Sequence, residues 1–89
     1  MATVYITENR ADSDRIQRML LDDGAHWSDG RKEPYDYDLI AIFRNGNSLS
    51  YLLRDSATNP YIYITKSDIV ILSSKARKAL KFIKQLKDN

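Results

Sequence analysis

The chain contains no cysteine, which removes disulfides, thiolate metal sites and cysteine nucleophiles together. It has a single histidine, His26, so paired-imidazole metal patterns such as His-Glu-x-x-His have no second member. Its three glycines, Gly24, Gly30 and Gly46, fall in three different turns, and a phosphate-cradling loop needs them close together. The serines, among them Ser28, Ser48, Ser50, Ser56 and Ser67, occupy no nucleophile-elbow motif. The apolar run at residues 69–74, like every uncharged run in the chain, is far short of the roughly 18 residues a membrane-spanning helix needs. Residues 1–9 lack a basic-then-apolar leader pattern. The expectation is a non-enzymatic cytoplasmic protein without cofactor, metal or membrane partner.

What is present is ordinary in bulk. Apolar residues make up 43% and charged residues 29% of 89 residues, the composition of a folded domain rather than a disordered chain. A chain of this length buries about 60 to 65% of its unfolded surface around one modest core. Residues 1–89 are therefore expected to form a single α+β domain.

The net charge of +2 conceals a polarised molecule. Residues 75–89 carry six basic side chains against one acid, for +5; residues 1–74 carry eight against eleven, for −3. Ala76, Ala79, Leu80, Ile83 and Leu86 repeat at helical spacing in the basic segment, which predicts an amphipathic helix with Ser73 or Ser74 as its cap.

Upstream, residues 3–7 (Thr-Val-Tyr-Ile-Thr) read as a strand with Val4 and Ile6 on one side and Tyr5 on the other. A helix follows, started by Asn9 or Asp12 and stopped by Gly24, with Ile16, Met19 and Leu20 inward and Arg15 and Arg18 outward. Residues 25–38 combine turn formers with three aromatics and no periodicity, the pattern of an ordered loop that Trp27 anchors to the core.

The strongest local signal is Asn45-Gly46 between residues 39–43 and 48–53. It predicts a type I′ hairpin pairing Ile42 with Leu49 and Ile40 with Tyr51. The opposite face carries Leu39, Ala41, Phe43, Ser50 and Leu52, too apolar to be fully solvated. It is expected to be covered by another element or by a second copy, as a homodimer through Leu39, Phe43 and Leu52. Residues 61–65 (Tyr-Ile-Tyr-Ile-Thr) alternate as a strand with Ile62 and Ile64 inward, and residues 69–72 read as a further short strand. The expected order is β-α-β-β-β(-β)-α, a mainly antiparallel sheet of four to five strands with two helices.

Candidate chemistry is sparse. His26 lies near Asp22, Asp23 and Asp29, and Asp36-x-Asp38 sets two carboxylates on one side of an entering strand; acids at helix ends and strand entries serve structure far more often than metal binding. The candidate binding residues are Lys75, Arg77, Lys78 and Lys81 at the start of the terminal helix, where the dipole disfavours cations but backbone amides favour an anion. Tyr61 and Tyr63 on an outward strand face join them as stacking surfaces, and the Trp27 loop as a further contact for a macromolecular partner.

Two resemblances bear on function. The helix, Gly24, Pro34-x-x-Tyr37, three strands and Ser74-Lys75-Ala76-Arg77-Lys78-Ala79 together resemble a double-stranded RNA-binding domain, which implies a basic helix start gripping phosphates. Over residues 3–65, the strand, helix, Asp23-Gly24-x-x-Trp27-Ser28-x-Gly30, Tyr-rich entry and Asn-Gly hairpin resemble small accessory proteins of tailed bacteriophages. That resemblance implies a phage or prophage protein in the host cytoplasm that inhibits or redirects a host or defence-system protein with an acidic surface. The alternative is a small nucleic-acid-binding protein using the basic helix.

Overall fold

A computed structural model describes residues 2–56, 59 and 61–72. The basic residues Lys75, Arg77, Lys78 and Lys81, and with them the terminal helix expected from the sequence, lie outside the described residues. The described elements run β1 (Ala2–Ile6), α1 (Arg10–Asp22), β2 (His26–Trp27), β3 (Leu39–Asn45), β4 (Ser48–Leu53), α2 (Tyr61–Thr65) and β5 (Ile69–Leu72). They build a small α+β fold around a five-stranded sheet in the order β2-β4-β3-β1-β5. The sheet is mixed, with antiparallel pairing at its centre. The central pairs β1/β3 and β3/β4 are antiparallel, and the flanking pairs β1/β5 and β2/β4 are parallel.

β1 is an inner strand with both faces covered, so Val4, Tyr5 and Ile6 are all buried although their side chains alternate. Tyr5 faces the α1 side with Ile16, Leu20, Ala25, Trp27, Leu39, Ile42 and Leu49. Val4 and Ile6 face the other side with Ala41 and Ile64.

α1 begins and ends as its sequence dictates. The Asn9 side chain accepts the Asp12 amide at 2.9 Å, while Gly24 takes φ 91°. The Ala25 amide then reaches the Leu20 carbonyl and the Gly24 amide the Leu21 carbonyl, each at 3.1 Å, the paired bonds of a Schellman stop. Its buried residues are Ser13, Ile16, Gln17 and Leu20, at i, i+3, i+4 and i+7. Met19, expected inward, is 45% exposed, and the polar Gln17 takes the inner position.

The hairpin turns one residue later than the dipeptide predicts. Asn45 pairs with Ser48, so the loop is Gly46-Asn47. Gly46 alone of the two has positive φ, 62°, the signature of the II′ family rather than I′. Arg44 holds this register, donating Nε–H to the Gly46 carbonyl at 2.8 Å and a guanidinium N–H to the Asn47 side chain at 2.9 Å. Ile42 therefore opposes Tyr51, and Leu49 opposes Arg44. A bulge between Leu39 and Ala41 then rotates Leu39 onto the Ile42 face. The expected grouping of Leu39, Phe43 and Leu52 is thereby split: Leu39 is fully buried under α1, while Phe43 and Leu52 pack on the opposite face.

α2 covers that opposite face, where the sequence predicts a strand. The Asn59 side chain accepts the Tyr61 amide at 3.0 Å, and Asn followed by Pro is a helix-start signal in its own right. One helical turn points Tyr61 and Ile64 at the sheet, three residues apart, and leaves Ile62, expected inward, exposed. After the turn, Asp68 clamps β1 from both sides: its amide donates to the Ala2 carbonyl at 2.8 Å, and its carboxylate accepts the Ala2 amide at 2.9 Å. β5 then runs parallel to β1. Among the described residues no helix is long and apolar enough to cross a membrane.

Candidate binding surface

The segment between α1 and β3 is ordered from both ends. At its start β2 joins the sheet beside β4, the His26 amide donating to the Asn47 carbonyl at 2.8 Å and the Ser28 amide to the Leu49 carbonyl at 3.0 Å. What reads from sequence as the opening of a loop is thus a two-residue edge strand. Gly30, at φ 93°, then folds the chain back, its amide donating to the Trp27 carbonyl at 2.8 Å while the Trp27 amide donates to the Arg31 carbonyl at 2.8 Å. The Trp27 indole N–H reaches the Glu33 carbonyl at 3.0 Å.

The far end is pinned by polar side chains of α1. Gln17 accepts the Tyr35 amide at 2.7 Å and donates to the Tyr35 carbonyl at 3.2 Å, so one side chain serves that residue as a neighbouring strand would. Ser13 Oγ accepts the Leu39 amide at 3.0 Å. Arg54 closes the base, donating Nε–H to Asp38 at 3.0 Å and a second N–H to Thr7 Oγ1 at 2.7 Å.

These anchors display an aromatic stack. Trp27 lies at the bottom, 2% exposed, edge-on to Tyr35 at 4.9 Å and to Tyr51 at 5.5 Å. Tyr37 stacks on Tyr35 at 5.5 Å with 9° between the rings and is 47% exposed. The Arg31 guanidinium sits 4.7 Å from the Tyr35 ring centroid. Tyr35 donates its hydroxyl to Asp29 at 2.6 Å, and that bond pushes the phenol up to about 12 and holds the Asp29 carboxyl below its ordinary range. Beside the stack an open depression of about 270 Å³ is lined by Asp14, Arg18, Glu33, Pro34, Tyr35 and Asp36.

The electrostatics of this surface are mixed. Residues 28–38 carry Asp29, Glu33, Asp36 and Asp38 against Arg31 and Lys32, a local net of −2. Each of the six described arginines is already ion-paired: Arg10 with Asp36, Arg15 with Asp12, Arg18 with Asp14, Arg31 with Glu33, Arg44 with Asp23 and Arg54 with Asp38.

The residues singled out from sequence are distributed differently. Trp27 is a buried support for the surface, not a contact on it. Tyr61 and Tyr63 lie on α2, half-buried against the sheet, Tyr63 stacking on Phe43 at 5.3 Å, so neither occupies an outward strand face. The His26 ring nitrogen Nδ1 contacts the Asn47 carbonyl at 3.1 Å, while Asp23 turns to Arg44 and Asp29 to Tyr35. Asp36 and Asp38 part likewise to Arg10 and Arg54. Among the described residues no three metal-ligating side chains converge. The residues that do converge, Arg31, Tyr35, Tyr37 and Tyr51, were visible from sequence only as a Tyr-rich entry and one strand tyrosine; their meeting depends on Trp27 and on Gln17, eighteen residues before Tyr35.

No protein-family model, curated protein or solved structure matches this chain.

Proposed function

We propose that this chain is a non-enzymatic binding protein that grips another protein through the Tyr35, Tyr37, Tyr51 and Arg31 surface. The observation that carries the reading is a stack of half-buried tyrosines with Tyr37 exposed at its outer end and Arg31 over Tyr35, held in place by part-buried hydrogen bonds. Tyrosine and arginine supply large, stiff contact area at low entropic cost and dominate binding hot spots. A preformed loop avoids the cost of ordering on association. The local charge of −2 and the paired arginines favour a protein partner here over a phosphate backbone, which asks for unpaired cations. The likeness of Trp27-Ser28-Asp29-Gly30 to phage accessory proteins makes host or defence-system proteins the first class to search. Capture from nuclease-treated bacterial lysate tests this: a specific protein should be retained by the wild type and by Asp55→Asn, and lost with Tyr37→Ala. Equal capture by Tyr37→Ala removes this surface from the account.

The second reading, nucleic-acid binding, is favoured by the +5 charge of residues 75–89. It predicts gel-shift affinity for DNA or RNA that falls by about 0.9 log units per phosphate contact for each log unit of salt on a duplex. No shift at low salt rejects it.

A further inference from the structure

The tip of the β3-β4 hairpin carries a reactive pair that the tyrosine surface does not use. Four asparagines lie among the described residues, and three are shielded by their neighbours. The Asn9 side chain accepts the Asp12 amide at 2.9 Å. The Asn47 side chain accepts a guanidinium N–H of Arg44 at 2.9 Å, and the Asn47 carbonyl accepts the His26 amide at 2.8 Å. The Asn59 side chain accepts the Tyr61 amide at 3.0 Å, and the residue that follows it, Pro60, has no backbone N–H. Asn45 differs from all three. It is exposed where the ladders of β3 end, opposite Ser48 and Ala2, and among the described residues nothing bonds its side chain. Gly46 follows, with an amide that donates to no carbonyl among the described residues. A Cβ there would meet nothing within 4 Å, so solvent reaches the amide freely.

We propose that Asn45-Gly46 is a site of spontaneous covalent modification, deamidation through a cyclic imide. The Gly46 nitrogen attacks the Asn45 side-chain carbonyl carbon. A new C–N bond forms, the bond to the side-chain nitrogen breaks, and the Gly46 proton passes through water to the departing ammonia. Water then opens the ring at either carbonyl, leaving aspartate or, where the chain now runs through the side chain, isoaspartate. Nucleophile and carbonyl belong to adjacent residues, so the step is intramolecular and calls for no enzyme. Ring closure requires the Asn45 backbone to leave its strand conformation, and the end of a ladder opens more readily than its middle. Isoaspartate lengthens the backbone by a methylene, and both products set a carboxylate beside Arg44, which already holds Gly46, Asn47 and Asp23. The disturbance reaches β2, because the Asn47 carbonyl receives the His26 amide.

Peptide mapping of the full chain, aged at mildly alkaline pH, tests this. The acid-for-amide mass gain should accumulate at Asn45 at least about tenfold faster than at Asn9 or Asn47, whose side chains must first give up a hydrogen bond. An isoaspartyl methyltransferase should label the same peptide, and the His26 amide NMR signal should shift in step. Asn45→Gln, whose longer side chain closes a ring less readily, should stay unmodified at position 45 and keep its His26 signal in place. Asn45 left intact in the folded chain, while the urea-unfolded chain converts, overturns the proposal, as does equal conversion at Asn47. A His26 signal unmoved by conversion overturns the reach to β2.

Discussion

Gln17, buried in the middle of α1, bonds both backbone groups of Tyr35, eighteen residues away, at 2.7 and 3.2 Å. The consequence reaches the surface, because Tyr35 carries Tyr37 on its ring and Arg31 beside it. An amide side chain in a core position is costly unless both its donor and its acceptor are used, and here each serves the same loop residue.

Gln17→Leu keeps the volume and removes both bonds, leaving the Tyr35 amide and carbonyl without that partner. The expected loss is about 1 to 3 kcal/mol by chemical denaturation, with faster hydrogen exchange at the Tyr35 amide than at Ile42. A variant of unchanged stability and exchange would mean that the loop does not depend on α1.

The bond from Tyr35 to Asp29 predicts an alkaline titration. With the phenol raised to about 12 from 10.0 and the carboxyl lowered from 3.8, the sign is fixed at both ends. The lowered carboxyl favours the folded loop above its ordinary range and loses that contribution as pH falls below it. The raised phenol favours the folded loop below pH 10.0 and loses that contribution as pH rises towards 12. Tyrosinate absorbance should therefore show one tyrosine titrating late, missing in Tyr35→Phe and shifted towards 10.0 in Asp29→Asn. The same late component in Asp29→Asn would contradict the assignment.

How far the sequence spoke depends on the range of the determining contact. β1, α1 and β5 were legible because their signals are local: alternation at Val4, Tyr5 and Ile6, an Asn9 cap, a Gly24 stop. α2 was not, since five alternating residues satisfy a strand pattern while the Tyr61 and Ile64 pair equally suits one helical turn. Asn45-Gly46 marked the hairpin but not its register, which Arg44 holds through its bonds to Gly46 and Asn47. The tyrosine surface was hidden for the same reason in stronger form. Tyr35 and Tyr37 sit in an aperiodic loop whose conformation is written in Ser13, Gln17 and Trp27.

α2 offers a direct contrast between helix and strand. Ile64→Ala should cost about 2 to 4 kcal/mol, as buried large-to-small changes do, while Ile62→Ala, 47% exposed, should fall within about 0.5 kcal/mol of wild type. Equal losses at both positions would favour the alternating strand.

Gly46 isolates backbone strain from crowding. A Cβ there meets nothing within 4 Å, yet φ is 62°, so Gly46→Ala should cost about 1 to 2 kcal/mol from conformation alone. Asn47→Gly, at a position without positive φ, should lose less than Gly46→Ala. The reverse order would contradict the positive φ at Gly46.

The central claim is that the tyrosine stack is the gripping surface, and the affinity of Tyr37→Ala for the captured protein tests it most directly. Tyr37 packs on Tyr35 from the outside, so the variant should stay folded with a stability loss of about 1 to 2 kcal/mol yet bind at least about tenfold more weakly, the loss of a hot-spot residue. Binding within about twofold of wild type, with the fold intact, would contradict the account.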